Sequence, residues 1–139
     1  MKYIDIDLQH NEYKIQEQLK QSTLTKAPEV FDLDNIQVSI GLEINGKIVS
    51  RLIGEIFFNG LTIKLFSSDE AYRGNGYGTI LLKHVEELAL KKGCHYIFLE
   101  TMSFNAPQFY LKNGFEIVNK VENSPLNNEI HYFMFKDIR

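Results

Sequence analysis

The stretch from Ile36 to Ser67 constrains this 139-residue chain most, because hydrophobic alternation there is cut twice by an Asn-Gly pair. Ile36, Val38, Ile40, Leu42 and Ile44 alternate with Gln37, Ser39, Gly41 and Glu43, the period of a strand with one buried face. Asn45-Gly46 follows, and both residue types accept the positive φ that a two-residue hairpin turn demands. A second strand is predicted from about Lys47 to Phe58, a second turn at Asn59-Gly60, and a third strand from Leu61 to about Ser67. The result is an antiparallel meander. In that register Phe58 faces Leu61, and Glu55 faces Lys64 as an opposite-charge pair.

A helix must follow. Leu81, Val85, Leu88 and Ala89 share one face, Ile80 and Leu82 flank it, and Lys91, Lys92 and Gly93 suit its C-terminal end. His95 to Leu99 then reads as a short buried strand, so the strand–helix–strand step implies a parallel crossover. Ser103 or Asn105 can cap a second, short helix with Pro107 in its first turn and Gly114 at its end. Phe115 to Val118 and His131 to Phe135 are the last two strands, antiparallel across a loop with Pro125.

Upstream, Ile4, Ile6 and Leu8 alternate as a strand, Asn11 to Gln21 reads as a helix, and Ser22 to Asn35 as a loop or broken helix. The predicted fold is α/β (α+β): a single domain over residues 1–139 with a mostly antiparallel, six- to seven-stranded sheet and helices on both faces.

Composition narrows the function. A net charge of -3 and a pI near 5.8 argue against a bulk nucleic-acid binder. No apolar run reaches membrane-spanning length, no signal-peptide core opens the chain, and the cytoplasm is the expected location. Cys94 is alone, which excludes an internal disulfide, and it reads as a packing residue. His10, His84, His95 and His131 show no ligand spacing, so no metal is expected.

Between meander and helix stands Arg73-Gly74-Asn75-Gly76-Tyr77-Gly78-Thr79, with no acidic residue after it until Glu86. A helix N-terminus offers unpaired backbone N–H groups and a positive dipole end, and glycines let a phosphate approach them. Arg73 adds a fixed positive charge. A Rossmann fingerprint would need glycine at position 79 and a parallel first unit; a P-loop would need lysine after the last glycine. The bland alternative is a tight turn that needs positive φ.

Arg73-x-x-Gly76-x-Gly78, after a meander and opening a helix, resembles the acetyl-CoA signature of the GNAT superfamily of N-acetyltransferases. Ala106-Pro107-Gln108-Phe109-Tyr110-Leu111-Lys112-Asn113-Gly114-Phe115-Glu116 is similar to that superfamily's A-x-x-x-Y-x-x-x-G-F segment. The likeness runs from about Ile36 to Phe135. It implies a central parallel pair, Leu61–Ser68 and His95–Thr101, that splays apart to admit the pantetheine arm. By that resemblance Arg73, Gly74, Asn75, Gly76, Tyr77, Gly78 and Thr79 hold the pyrophosphate of acetyl-CoA, and Ser67 and Ser68 offer backbone to the pantetheine. Ser103 and Asn105 are further candidate cofactor contacts.

The implied reaction moves an acetyl group directly to a primary amine of a small molecule or peptide. It requires a neutral nitrogen, a stabilised oxyanion and a proton for the thiolate. Tyr110 is the candidate proton donor; Glu55 and Glu100 are candidate bases, beside a water relay with no dedicated base. Ser67-Ser68 stands where many relatives carry a bulky apolar pair, and Lys64 where some carry a carboxylate. Those departures leave room for a CoA-binding sensor or interaction module without turnover; a nucleotide-binding domain is a third reading. The expected partner is the amine, with no nucleic acid and no membrane, and homodimer formation is left open.

Overall fold

The computed structural model describes residues 1–33 and 35–139, and the chain divides into two compact units, Met1–Leu33 and Asp34–Arg139. In the first, helix α1 (Leu8–Lys26) is followed by a 3-10 turn over Pro28–Asp32. Asp7 caps α1 by accepting a hydrogen bond from the His10 N–H at 3.0 Å. The expected strand over Ile4, Ile6 and Leu8 is therefore corrected: those residues are exposed, and the helix begins at Leu8. The aspartate that made the alternation look strand-like is the cap. The helix also runs on to Lys26, through residues expected to form a loop. Tyr13, Ile15 and Leu19 stay exposed, and Tyr13 sits roughly opposite the other two around the axis, so they form no single stripe.

The second unit is a six-stranded sheet in the order β1-β2-β3-β4-β6-β5. Its strands are β1 (Ile36–Ile44), β2 (Lys47–Phe57), β3 (Gly60–Ser68), β4 (Tyr96–Met102), β5 (Glu116–Glu122) and β6 (Ile130–Asp137). Only β3 and β4 run parallel; every other pair is antiparallel. Asn45 and Gly46 turn the first hairpin with φ of 50° and 79°. The second turn differs from expectation. Its central residues are Phe58, at φ 55°, and Asn59, so Phe57 pairs with Gly60 and Glu55 with Thr62. Gly54 pairs with Ile63 and Ile53 with Leu65, which leaves Lys64 as the extra residue of a bulge. From there Lys64 still makes its ion pair with Glu55.

Helix α2 (Tyr77–Lys91) crosses from β3 to β4, and α3 (Pro107–Lys112) follows β4. Neither Ser103 nor Asn105 caps α3. Ala106 takes that position at φ 53°, without a side-chain cap. Within this unit both helices lie on the same sheet face. Leu81, Leu82, Val85 and Ala89 of α2 and Tyr110 of α3 share one core with Leu52, Ile56, Leu61, Ile63, Ile97, Leu99 and Met134. Lys136 of β6 ties the layer together, donating to Glu86 at 2.7 Å and to the Asn113 carbonyl at 2.9 Å. Cys94 is a buried packing residue whose thiol pKa is raised by burial, which suits no nucleophilic role.

The packing of α2 is directly testable. Leu81 is 2% exposed and Ile80, expected to flank the same face, 51%. Leu81→Ala should cost about 2–5 kcal/mol in urea unfolding, and Ile80→Ala within about 0.5 kcal/mol. Equal losses would mean that the buried face of α2 is assigned wrongly.

Candidate active site

Parallel strands hold together only while their backbones stay within hydrogen-bonding distance, and β3 and β4 do so briefly. Gly60–Ile63 pair with Tyr96–Leu99, and the pairing then stops. β4 continues against β6 as far as Met102, while β3 continues against β2 as far as Ser68. The facing edges of Lys64–Ser68 and Glu100–Met102 therefore carry no ladder between them. A cleft of about 790 Å³ opens there, in the usual size range for small-molecule sites.

The loop before α2 forms one end of this cleft. Gly76 is the N-cap at φ 76°, no side chain caps the helix, and its first turn carries no acid. Among the described residues the first-turn N–H groups thus have neither a capping side chain nor an acid of their own turn against them, and the dipole's positive end is open to a ligand. Gly74, at φ 86°, and Gly76 are explained by backbone conformation, as a tight turn would require. Gly78 is different. A Cβ there would come within 3.2 Å of Ser68 Oγ and 3.3 Å of Phe109 Cζ, so glycine keeps the mouth clear.

Arg73 is exposed and 3.6 Å from Glu70, a weak surface pair that leaves its charge available to a stronger anion. Asn75 is spent on the loop itself, donating from its side chain to the Tyr72 carbonyl at 2.9 Å. Arg73, Gly74, Gly76, Tyr77, Gly78 and Thr79 all line the cleft.

The helix-side wall is aromatic. Phe66 stacks on Phe109 at 5.5 Å, and Tyr110 meets the edges of both Phe109 and Phe115. Tyr110 is 9% exposed and lines the cleft, and burial raises its pKa, so the phenol keeps its proton through neutral pH. Ser67 and Ser68 also line the cleft; Ser50 Oγ donates to the Ser67 carbonyl at 3.2 Å and lies 3.0 Å from Ser68 Oγ, which fixes this strand end.

The two carboxylates part company. The hydrogen bond from Lys64 holds the Glu55 carboxyl below its ordinary pKa, with Asn35 and Gln37 adding to it, and Glu55 does not line the cleft. Glu100 does. Its neighbours Leu99 and Thr101 are buried in the helix-side core, so strand alternation sends Glu100 to the opposite face. Asn105 lines the cleft beside Met102 and Phe104, and its carbonyl accepts from Thr101 Oγ1 at 3.2 Å. Ser103 is engaged elsewhere: its hydroxyl bonds the Glu129 carboxylate and accepts from the Ile130 N–H at 2.9 Å, pinning the β5–β6 loop.

Sequence reasoning missed the aromatic wall of Phe66 and Phe109, because those positions read equally well as core. It also missed His131, whose Nε2 lies 3.1 Å from Glu100 Oε1. The contact depends on β4–β6 register, and because α3 and β5 stand between those two strands in the chain, no turn rule sets it.

A crystal structure of an acetyltransferase from Bacillus cereus ATCC 14579 superposes with a TM-score of 0.84 at 30% identity, covering 99% of this chain and 98% of that one. Blasticidin-S acetyltransferase of Streptomyces morookaense is 30% identical over 81 residues, 58% of this chain; the chain spans about 60% of that relative's length. An aminoglycoside 6'-N-acetyltransferase complexed with coenzyme A shares the fold, with a TM-score of 0.66 at 17% identity over 100% of this chain and 98% of that one. Residues 6–115 match the Acetyltransferase (GNAT) family, and with the diverging strands and the uncapped helix in place, the chain belongs to that family.

Proposed function

We propose that this protein transfers the acetyl group of acetyl-CoA to a primary amine of a small molecule or peptide. One observation carries the reading: an uncapped, acid-free helix N-terminus and the unpaired edges of two diverging strands open into a single cleft. The residues present fit acetyl-CoA. The N–H groups of the Gly74–Thr79 turn and the Arg73 guanidinium suit a pyrophosphate, and the bare Lys64–Ser68 edge suits the amides of an extended pantetheine arm. The complex of a fold neighbour with coenzyme A supports the same ligand class.

Acetyl-CoA supplies an activated acyl group; this chain's residues handle protons and charge around it. An alkyl ammonium near pKa 10.4 must lose a proton before it can attack. Glu100, on the cleft and away from the helices, takes that proton better than Glu55, whose charge Lys64 neutralises. The N–H groups of the Lys64–Ser68 edge suit the negative charge that develops on the acetyl oxygen. Tyr110, on the helix side, gives a proton to the departing thiolate. Tyr110 and Glu100 thus stand on opposite faces of the sheet, so the two proton transfers do not compete for one group.

Free thiol should appear when acetyl-CoA meets an active member of an amine panel comprising a polyamine, Nα-blocked lysine, a peptide N-terminus and blasticidin S. Coenzyme binding without thiol release on any member would sink the enzymatic reading. Tyr110→Phe should lower kcat on the order of 10-fold or more while leaving acetyl-CoA affinity nearly unchanged. Because the phenol's pKa lies above its ordinary value, wild-type kcat should show no Tyr110-dependent fall up to about pH 9.

The cradle is tested separately. Gly78→Leu should abolish most of the thermal stabilisation by acetyl-CoA, which amounts to about 2.7 kcal/mol at 100 times Kd. Undiminished stabilisation would place the coenzyme elsewhere.

A further inference from the structure

We infer that His131 is a positioning residue for Glu100, holding its carboxylate toward the acceptor side of the cleft. The inference rests on the reading of Glu100 as the base of an N-acetyltransferase. His131 and Glu100 lie on adjacent antiparallel strands: Met102 pairs with His131 and Glu100 with Phe133, so the two side chains are diagonal neighbours on one sheet face. His131 Nε2 stands 3.1 Å from Glu100 Oε1, close enough to bond but not aligned for it. That nitrogen is buried and has no other partner among the described residues. A buried donor left unpaired is disfavoured, so the ring nitrogen is reserved for the one acceptor within reach.

The ring itself is fixed. It stacks on Phe133 at 4.5 Å and 14°, and Phe133 leans in turn on Phe98 at 6.5 Å. A stacked imidazole beside a half-exposed carboxylate restricts the carboxylate's rotamers more than it shields it: the Glu100 side chain is 48% exposed and the His131 side chain 21%. With Glu100 Oε1 brought into line with Nε2–H, the second oxygen of Glu100 is left for the acceptor. It takes one proton from the incoming ammonium, leaving the amine neutral, and passes that proton to water at its exposed edge. His131 itself neither gains nor loses a proton in this step.

The pair is also separate from the coenzyme machinery. Tyr110 and the start of α2 lie on the helix side of the sheet, whereas Glu100 and His131 lie on the other. A fault at His131 should therefore appear in turnover and not in coenzyme binding.

The test uses the full chain, acetyl-CoA and the panel amine with the highest thiol release. Glu100→Gln, His131→Phe, His131→Gln and the Glu100→Gln/His131→Phe double variant are compared. His131→Phe keeps the stack on Phe133 but removes the nitrogen; it should lower kcat about 10-fold with the acetyl-CoA KM within about twofold. His131→Gln returns an amide N–H and should recover kcat to within about threefold of wild type. The double variant should be no slower than Glu100→Gln alone, since a positioning group has nothing to act on once the base is gone.

Wild-type kcat in His131→Phe, equal loss in His131→Phe and His131→Gln, or additive losses in the double variant would each overturn the role of His131. Unchanged kcat in Glu100→Gln would instead remove the base assignment on which it rests. Should His131→Phe fail to fold, His131→Asn, which places an N–H short of Glu100, takes its place with the same expected loss.

Discussion

The structure turns on where the parallel ladder between β3 and β4 stops. Four residues of each strand pair, and after Ile63 and Leu99 each strand follows its antiparallel partner instead. β2 holds one side and β6 the other, so the gap is maintained by two antiparallel ladders that run on past it, as far as Ser68 and Met102. A bulge at Lys64 marks the point of departure on β3. Bulges increase local twist and bend the strand that carries them, which suits a strand leaving its neighbour. Everything ligand-facing in the larger unit, from the α2 N-terminus to Glu100, is arranged along this opening.

The opening also separates two chemistries by face. Toward the helices the wall is aromatic: half-buried Phe66 and Phe109, and the buried phenol of Tyr110, where desolvation favours the protonated form. Toward the other face it is charged and wetter, with Lys64 in its pair with Glu55, and Glu100 beside His131. A sheet can do this because consecutive side chains alternate between faces, so Leu99 and Thr101 turn to the helix side and Glu100 to the other, although all three border the cleft.

Most of the sheet, the crossover helix and the glycine turn were legible because each rests on local rules. Alternation, Asn45-Gly46, the C-terminal Gly93 and the acid-free first turn of α2 need no knowledge of distant neighbours. The misses share a cause. Ile4, Ile6 and Leu8 alternate, but a strand needs a partner, and Asp7 had a competing use as a cap. The second hairpin is displaced by one residue because Phe58 takes the positive φ that Asn59-Gly60 seemed to reserve, and a bulge at Lys64 shifts the register again further along the pair. Ser103 was a reasonable cap until the β5–β6 loop claimed its hydroxyl, and His131 gained meaning only once β6 was laid against β4.

Backbone hydrogen exchange of the full chain, with and without acetyl-CoA, tests the central feature most directly. If the bare edge of β3 receives the coenzyme, amides within Lys64–Ser68 and at the start of α2 should slow together on adding it, while those of Ile36–Ile44 on the far edge of the sheet should not. Slowing at the α2 start alone, with the β3 edge exchanging as fast as before, would contradict the account of the gap as the coenzyme's seat.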